Sequence, residues 1–204
     1  MNGFTQYKYI IKCLCSFFIS MCLSLPGYAL SFSDNLAQAA LARTKHQVYY
    51  DGAYISLAYP NGDVPSNTGV CTDVIIRSYR QLGIDLQQLV HEDMEKNFNQ
   101  YPSQRIWGLN KPDSNIDHRR VPNLQTYFKR FGQALAISNQ ASDYQIGDIV
   151  TWMLPGNLPH IGIVVKHAIN AEHGPLIVHN IGAGPALEDM LFDYKITGHY
   201  RFSN

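Results

Sequence analysis

The sequence predicts an α+β fold in which N-terminal helices pack on an antiparallel sheet of about five strands. The first half of the chain places apolar residues at helical spacing. The second half holds short segments rich in β-branched and aromatic residues, separated by turn residues. Helices that precede strands, rather than alternating with them, are typical of α+β proteins. The length of 204 residues suits one domain.

The first 29 residues are expected to be a secretory signal peptide rather than part of the fold. Lys8 and Lys12 give this segment a positive start, and an uncharged apolar stretch follows them. Gly27 and Ala29 are small residues at the −3 and −1 positions of a cut after Ala29. This combination is typical of a cleaved export signal.

Two alternatives to cleavage are weaker. A retained membrane anchor is disfavoured because the apolar run before Pro26 is short for a bilayer crossing. Lipid attachment at Cys22 is disfavoured because the preceding residues lack the usual leucine and small-residue run. We therefore expect residues 30–204 to form a single exported, periplasmic domain that is monomeric and is not inserted in the membrane after cleavage.

Charge argues against nucleic acid as a partner. The formal net charge of the whole chain is 0, and removal of the two signal lysines leaves 0 − 2 = −2. The densest basic patch is only His118-Arg119-Arg120. A protein that binds a duplex normally presents a stronger basic face.

Four helices are expected, separated by irregular segments. A turn at Pro60–Asp63 marks residues 53–69 as a loop, and residues 100–121 form a second, longer loop of the kind that is often functional. Ser33 is expected to cap the first helix, and Gly83 to end the second. The predicted helices cover Ser33–Gln47, Val70–Leu82, Asp85–Phe98 and Leu124–Phe131.

Five strands are expected after the last helix. Turn residues such as Pro155-Gly156-Asn157 separate segments that favour extended backbone. The predicted strands begin with Ala134 in ALAI, Asp148 in DIVTWM, His160 in HIGIVVK, Pro175 in PLIVHNI and Lys195 in KITGHYRF.

Cys71 is the residue that most strongly suggests chemistry. Signal cleavage would remove the other three cysteines, so Cys71 cannot form an internal disulfide in an oxidising compartment. It is either an inert buried residue or a nucleophile. Its expected position in the first turn of a helix favours the nucleophile, since unpaired amides and the helix dipole stabilise a thiolate there.

Two histidines are candidates for the base that a thiol nucleophile needs. His160 opens one apolar strand and His179 closes the next, so antiparallel pairing can bring the two rings together. One imidazole would accept the thiol proton and the other would fix its tautomer, with Asn180 as the rival orienting residue. A zinc site built from Cys71 and both histidines is a weaker alternative, because no short paired-ligand spacing supports it.

The segments GVCTDV, GDIVTW and HIGIVV, followed by a strand ending in histidine, resemble the NlpC/P60 branch of papain-like hydrolases. With IWGLNKPDSNIDHRRVPNLQTYF, they look more narrowly like a group of exported bacterial proteins in that clan. The resemblance covers roughly residues 59–202. It implies Cys71 as nucleophile, His160 as base and His179 as third polar residue. It also implies substrates with peptide or amide bonds, typically cell-wall peptides.

The resemblance also bears on substrate binding. Tyr59 matches an upstream tyrosine that often lines the site. Many relatives flank the cysteine with Asp and Ser, which hold the amine of a stem peptide, whereas here Asp73 is displaced by two positions. The usual stem-peptide specificity is therefore open. Arg119 and Arg120 could pair with a substrate carboxylate, or be solvated loop charges.

Together these observations predict an exported cysteine peptidase or amidase acting on peptidoglycan or a related peptide, without a metal or organic cofactor. An acyltransferase or thioesterase using the same cysteine is one alternative. A non-catalytic module that binds cell-wall peptides is another.

Overall fold

The computed structural model describes residues 30–167 and 174–203. The predicted signal peptide, residues 1–29, lies outside this range, so the domain boundaries stay a prediction. The α-helices of the described residues are α1 Phe32–Arg43, α2 Cys71–Gln81, α3 Leu86–Asn97, α4 Ser103–Trp107 and α5 Val121–Phe131. Two short strands, β1 Tyr49–Tyr50 and β2 Thr68–Gly69, form a separate parallel pair ahead of α2.

The remaining strands form one antiparallel sheet with the order β3-β8-β4-β5-β6-β7. Their bounds are β3 Gln133–Ala134, β4 Ile149–Leu154, β5 Leu158–Lys166, β6 Leu176–His179, β7 Ala186–Glu188 and β8 Lys195–Arg201. Helices first and an antiparallel sheet second confirm the predicted α+β class. The sheet has six strands among the described residues rather than about five. The additional strand is β7, which pairs with β6 at the sheet edge.

Helix boundaries differ from the predictions where capping decides them. The N-cap of α1 is Ser31 rather than Ser33, because the Ser31 hydroxyl accepts from the Asp34 N–H at 3.1 Å while the Asp34 carboxylate accepts from Ser31. Asp85 caps α3 through the N–H of Gln87 at 3.0 Å, as its position before the apolar repeat suggests.

The long segment predicted to be irregular contains α4 and a 3₁₀ turn, Asp117–Arg119. Buried side chains tie it to the rest of the molecule. The Gln87 amide on α3 donates to the carbonyls of Ala58 and Ser114 at 2.9 and 3.0 Å. This segment is therefore folded against α3 and the loop that precedes α2.

Apolar layers cover both faces of the sheet. On one face, α1, α2 and α5 pack against alternate residues of β4 and β5, including Ile149, Ile161 and Ile163. On the other face, Trp152 and Val164 pack with the loop that carries Leu191. The start of α2 lies on the helical side, near the ends of β5 and β6.

Candidate active site

Cys71 is the first residue of α2, one residue after the predicted start at Val70. The backbone around it is held tightly, because the Asp73 carboxylate accepts from the Val70 N–H at 2.6 Å and closes the first turn. Gly69 precedes this turn, and a Cβ there would lie 3.1 Å from the Cβ of Asp73. The thiol is buried, with Cys71 only 5% exposed.

The protonation state of Cys71 differs from the prediction. Burial raises the pKa of the thiol to about 12, although the N–H groups of Ile161, Thr72 and Cys71 itself act in the opposite direction. Desolvation of the anion therefore outweighs the favourable field of the helix start. Cys71 rests as a neutral thiol in this structure and not as a thiolate.

The two predicted histidines meet. Nε2 of His160 lies 2.9 Å from Nδ1 of His179, with the rings perpendicular. Strand register produces this pairing, because Gly162 of β5 stands opposite His179 of β6 and places the rings on adjacent strands. Both imidazoles are buried.

A carboxylate extends this pair. Nε2 of His179 lies 3.0 Å from Oε2 of Glu188, on the edge strand β7. The Glu188 side chain is 50% exposed, whereas that of His179 is 1% exposed. The three side chains form a line from the sheet interior to its edge, which we call the imidazole chain: His160, His179 and Glu188.

Burial keeps both imidazoles neutral near pH 7. It lowers the pKa of His160 to about 3, with a smaller contribution from the neighbouring His179. Burial also lowers the pKa of His179, although Glu188 opposes this effect. A neutral imidazole can accept a proton, so His160 is available as a base at neutral pH.

Thiol and imidazole chain approach each other where β6 ends. The Ile161 N–H that acts on the thiol belongs to the residue next to His160. The Asn180 amide, next to His179, donates to the Gly69 carbonyl at 3.4 Å, two residues before Cys71. Among the hydrogen bonds of the described residues, none joins Cys71 to an imidazole.

Asn180 does not take the orienting position that the sequence left open for it. Its side-chain oxygen accepts from the N–H groups of Gly182 and Gly184 at 3.0 and 3.2 Å, and its amide reaches Gly69. These bonds fix the loop after β6 beside the start of α2. The residue in contact with His160 is His179.

The tyrosine beside the thiol is Tyr50 and not Tyr59. Burial, followed by the proximity of Cys71 and Asp73, raises the pKa of the Tyr50 hydroxyl to about 12. Tyr50 reaches this position because β1 pairs it with Gly69. Tyr59 instead packs against α3, with its ring 5.0 Å from that of His91.

Arg119 and Asp73 are engaged with each other. Two guanidinium nitrogens of Arg119 each lie 3.0 Å from a carboxylate oxygen of Asp73, and both side chains are buried. Arg119 also donates to the carbonyls of Asp51 and Ala53 at 3.3 Å. This arrangement leaves neither group free for a substrate. Through these contacts the Arg119–Asp73 pair holds the 117–119 turn and the segment that follows Tyr50 against α2.

Arg120 is separate from this pair. Its guanidinium stacks at 4.0 Å from the ring centre of Trp107 and lies 3.5 Å from the Asp117 carboxylate. The adjacent arginines thus have different environments, one buried and one on the Trp107 side of the segment.

Sequence reasoning missed Glu188 and Tyr50. Glu188 follows a glycine-containing loop in a three-residue strand, too short for alternation to reveal a side chain directed at the site. Tyr50 lies in a two-residue strand, which is also too short to show an alternation of apolar and polar residues. Both join the site through strand pairing, Tyr50 opposite Gly69 and Glu188 opposite Ile177.

Within residues 30–167 and 174–203, no group of three or more histidine, cysteine or acidic side chains is arranged to hold a metal ion. In the same residues, no helix combines the length and apolar character needed to cross a bilayer.

Sequence comparison identifies relatives over most of the chain. A family model described as "Domain of unknown function (DUF1287)" matches residues 37–202. "Uncharacterized protein YijF" of Escherichia coli (strain K12) is 53% identical over 172 residues, which cover 83% of this chain and 82% of that protein.

The solved structures similar to this chain include two proteins of Trichomonas vaginalis. The structure of NlpC2 aligns with a TM-score of 0.43 at 16% identity, and that of NlpC1 with 0.44 at 14% identity. Each alignment covers 85% of this chain but only 49% and 46% of the respective neighbour. The chain thus spans about half the length of these two solved structures.

Proposed function

Since the chain belongs to the DUF1287 family and carries a cysteine at a helix start beside a buried pair of imidazoles, we propose that it is a cysteine hydrolase. The observation that carries this proposal is the 2.9 Å contact between His160 and His179, since the residue next to His160, Ile161, directs its N–H at the Cys71 thiol. A buried imidazole oriented by a second polar residue is the arrangement that a thiol nucleophile requires.

The proposed reaction is acyl transfer to water in two steps. Sγ of Cys71 attacks the carbonyl carbon of a peptide or amide as its proton passes to Nδ1 of His160, the ring nitrogen that His179 leaves free. The new C–S bond replaces the C–N bond, and the amine leaves with the proton from His160. Water then attacks the thioester while His160 accepts a proton from it, and the thiol regains a proton as the acid product leaves.

The protonation states exclude a thiolate–imidazolium pair as the starting point of the first step. A thiol with its pKa raised to about 12 and an imidazole with its pKa lowered to about 3 do not form an ion pair at neutral pH. Proton transfer then accompanies attack, as it does for a hydroxyl nucleophile assisted by a base. In this proposal the amides at the start of α2, including that of Cys71, stabilise the oxyanion.

We propose peptidoglycan stem peptides as the substrate and the periplasm as the location. The N-terminal segment of the sequence, with its lysines, apolar stretch and small residues, motivates the location. The resemblance of residues 59–202 to NlpC/P60 hydrolases motivates the substrate. We propose a monomer that needs neither metal nor organic cofactor.

The test is hydrolysis of purified cell-wall sacculi by the protein spanning residues 30–204. Wild type is expected to release fragments detectable by mass spectrometry, and Cys71→Ala is expected to release none. Glu95→Gln, a change on the exposed side of α3, serves as a control that should behave like wild type. Identical fragment profiles for wild type and Cys71→Ala would overturn hydrolysis of this substrate.

One observation favours a second candidate, a non-catalytic module that binds cell-wall peptides. The thiol is buried and neutral, which is unfavourable for a resting nucleophile. Sedimentation with sacculi separates the two functions. If the protein is a binding module, wild type and Cys71→Ala should sediment with the sacculi to the same extent, and neither should release cell-wall fragments. A thioester trapped on Cys71 and passed to an added amine would instead indicate an acyltransferase.

A further inference from the structure

The contact between Glu188 and His179 depends on the edge strand. In the β6–β7 register, Glu188 stands opposite Ile177, two residues before His179 on the same face. A diagonal neighbour at this position is within reach of a long side chain. Oε2 of Glu188 accordingly lies 3.0 Å from Nε2 of His179.

This contact determines which nitrogen of each ring carries a proton. An ionised carboxylate only accepts hydrogen bonds, so Nε2 of His179 must be the protonated nitrogen. In a neutral imidazole the other nitrogen, Nδ1, is then an acceptor. Nε2 of His160 must therefore donate to it across 2.9 Å, which leaves the lone pair of His160 on Nδ1.

The opposite arrangement would disable the base. If His179 carried its proton on Nδ1, Nε2 of His160 would have to accept, and Nδ1 of His160 would be protonated. A neutral His160 in that form could donate a proton but could not take one from the thiol. A single tautomer change at His179 thus decides whether the free nitrogen of His160 is an acceptor or a donor.

We propose that Glu188 is a positioning residue that holds the imidazole chain in the tautomer in which Nδ1 of His160 can act as a base. The catalytic consequence rests on the proposed hydrolase function, whereas the tautomer assignment does not. Because Glu188 is half-exposed and His179 is buried, the Glu188 carboxylate lies at the solvent end of the imidazole chain, where it keeps its hydration. The Glu188 carboxylate also stabilises the positive charge that the two imidazoles gain when His160 receives the thiol proton.

The test is the tautomeric state of the histidine rings, measured by long-range ¹⁵N–¹H NMR on the protein spanning residues 30–204. Wild type is expected to show His160 and His179 each protonated on Nε2. Glu188→Ala is expected to populate the Nδ1-protonated form of His179. Glu188→Gln should largely retain the wild-type pattern, because its amide oxygen can still accept from Nε2.

A matched control is available on α3, where His91 and Glu95 lie 3.5 Å apart. Glu95→Gln removes a carboxylate beside an imidazole elsewhere and should leave the tautomers of His160 and His179 unchanged. Thermal unfolding of each variant tests whether the fold is intact, and Glu188→Gln provides a second variant if Glu188→Ala fails to fold.

Sacculi hydrolysis is the second readout. Glu188→Ala is expected to lower the rate about 10- to 100-fold, the loss typical when a metal-bound imidazole loses the carboxylate that orients it, and Glu188→Gln should restore most of it. Unchanged tautomers and rates in both variants, or His179 protonated on Nδ1 in wild type, would overturn the role of Glu188. Tautomers as expected with no hydrolysis by wild type would reject the proposed function and leave the assignment standing.

Discussion

At the residue scale, Cys71 and His160 are both neutral near pH 7, and burial is the reason. Removal of a thiolate or an imidazolium from water costs more than the helix start and nearby N–H groups return. Both groups are therefore in the forms that exist before proton transfer, which matches a base that acts during attack on a substrate.

The pH dependence of alkylation tests this state. Because the pKa of Cys71 is raised to about 12, we expect the rate of reaction with iodoacetamide to rise about tenfold per pH unit between about pH 7 and 10 without a plateau. Mass spectrometry measures the labelled fraction, with Cys71→Ala as the unlabelled control and circular dichroism to monitor folding. A plateau near neutral pH would instead indicate a thiolate stabilised by an imidazolium.

Arg119 gives a second prediction at the residue scale. Arg119→Met leaves the Asp73 carboxylate buried without its ionic partner, and loss of one partner from a buried pair typically costs about 3–5 kcal/mol. Urea unfolding should show this loss, whereas Arg105→Met, at an exposed position of α4, should change the free energy of unfolding little. Unchanged stability together with lost sacculi hydrolysis would favour a substrate-binding Arg119.

Three adjacent strands build the imidazole chain at the element scale. β5, β6 and β7 each contribute one member, so their register fixes the two contacts. Gly162 sets the fit between β5 and β6, since a Cβ there would lie 2.7 Å from Cγ2 of Ile177 and 3.2 Å from Cβ of His179. Because Gly162 has no side chain, β6 can approach β5 closely enough to place His179 beside His160.

Gly162→Ala should therefore disturb both stability and the site. We expect a loss of about 1–3 kcal/mol, the usual cost of overpacking, because β6 must move to admit the methyl group. The NMR signals of the His179 ring should shift with it. Gly52→Ala is the matched control, since its added Cβ would meet nothing closer than 3.6 Å. Equal stability of the two variants would contradict this account of the strand fit.

Buried ionisable groups make the whole molecule sensitive to acid. The pKa of the buried His118 ring is lowered to about 3 by burial, followed by nearby positive groups, and that of His160 is lowered similarly. Between about pH 6.5 and 3 the unfolded chain therefore binds more protons than the folded one, and stability falls as the pH falls. Asp117 opposes this trend, since burial raises its pKa to about 6.

His118 isolates this effect away from the proposed catalytic groups. Each histidine with such a shift costs about 2 kcal/mol at pH 5 relative to pH 7. His118→Asn should therefore lose less stability than wild type between these two pH values, as measured by urea unfolding. His46→Gln, an exposed histidine, should keep the wild-type dependence. The same pH dependence in His118→Asn and wild type would show that this ring does not contribute.

Most elements could be predicted because their signals are local. Helical spacing around Val74 and Tyr79 gives α2, and the apolar runs after Asp148 and His160 give β4 and β5. The strand ends at His160 and His179 also predicted that the rings would meet, since antiparallel pairing follows from short connections. Short strands such as β1 and β7 carry too few residues for a pattern.

The sequence by itself determined the α+β class, the helix that begins at Cys71 and the two strands that carry the histidines, because periodicity, caps and turns act over a few residues. Tertiary structure alone decided that the thiol is neutral, that Arg119 and Asp73 bind each other, and that Tyr50 and Glu188 join the site. These depend on desolvation and on contacts between separate helices, strands and turns, which form only when the sheet and helices pack.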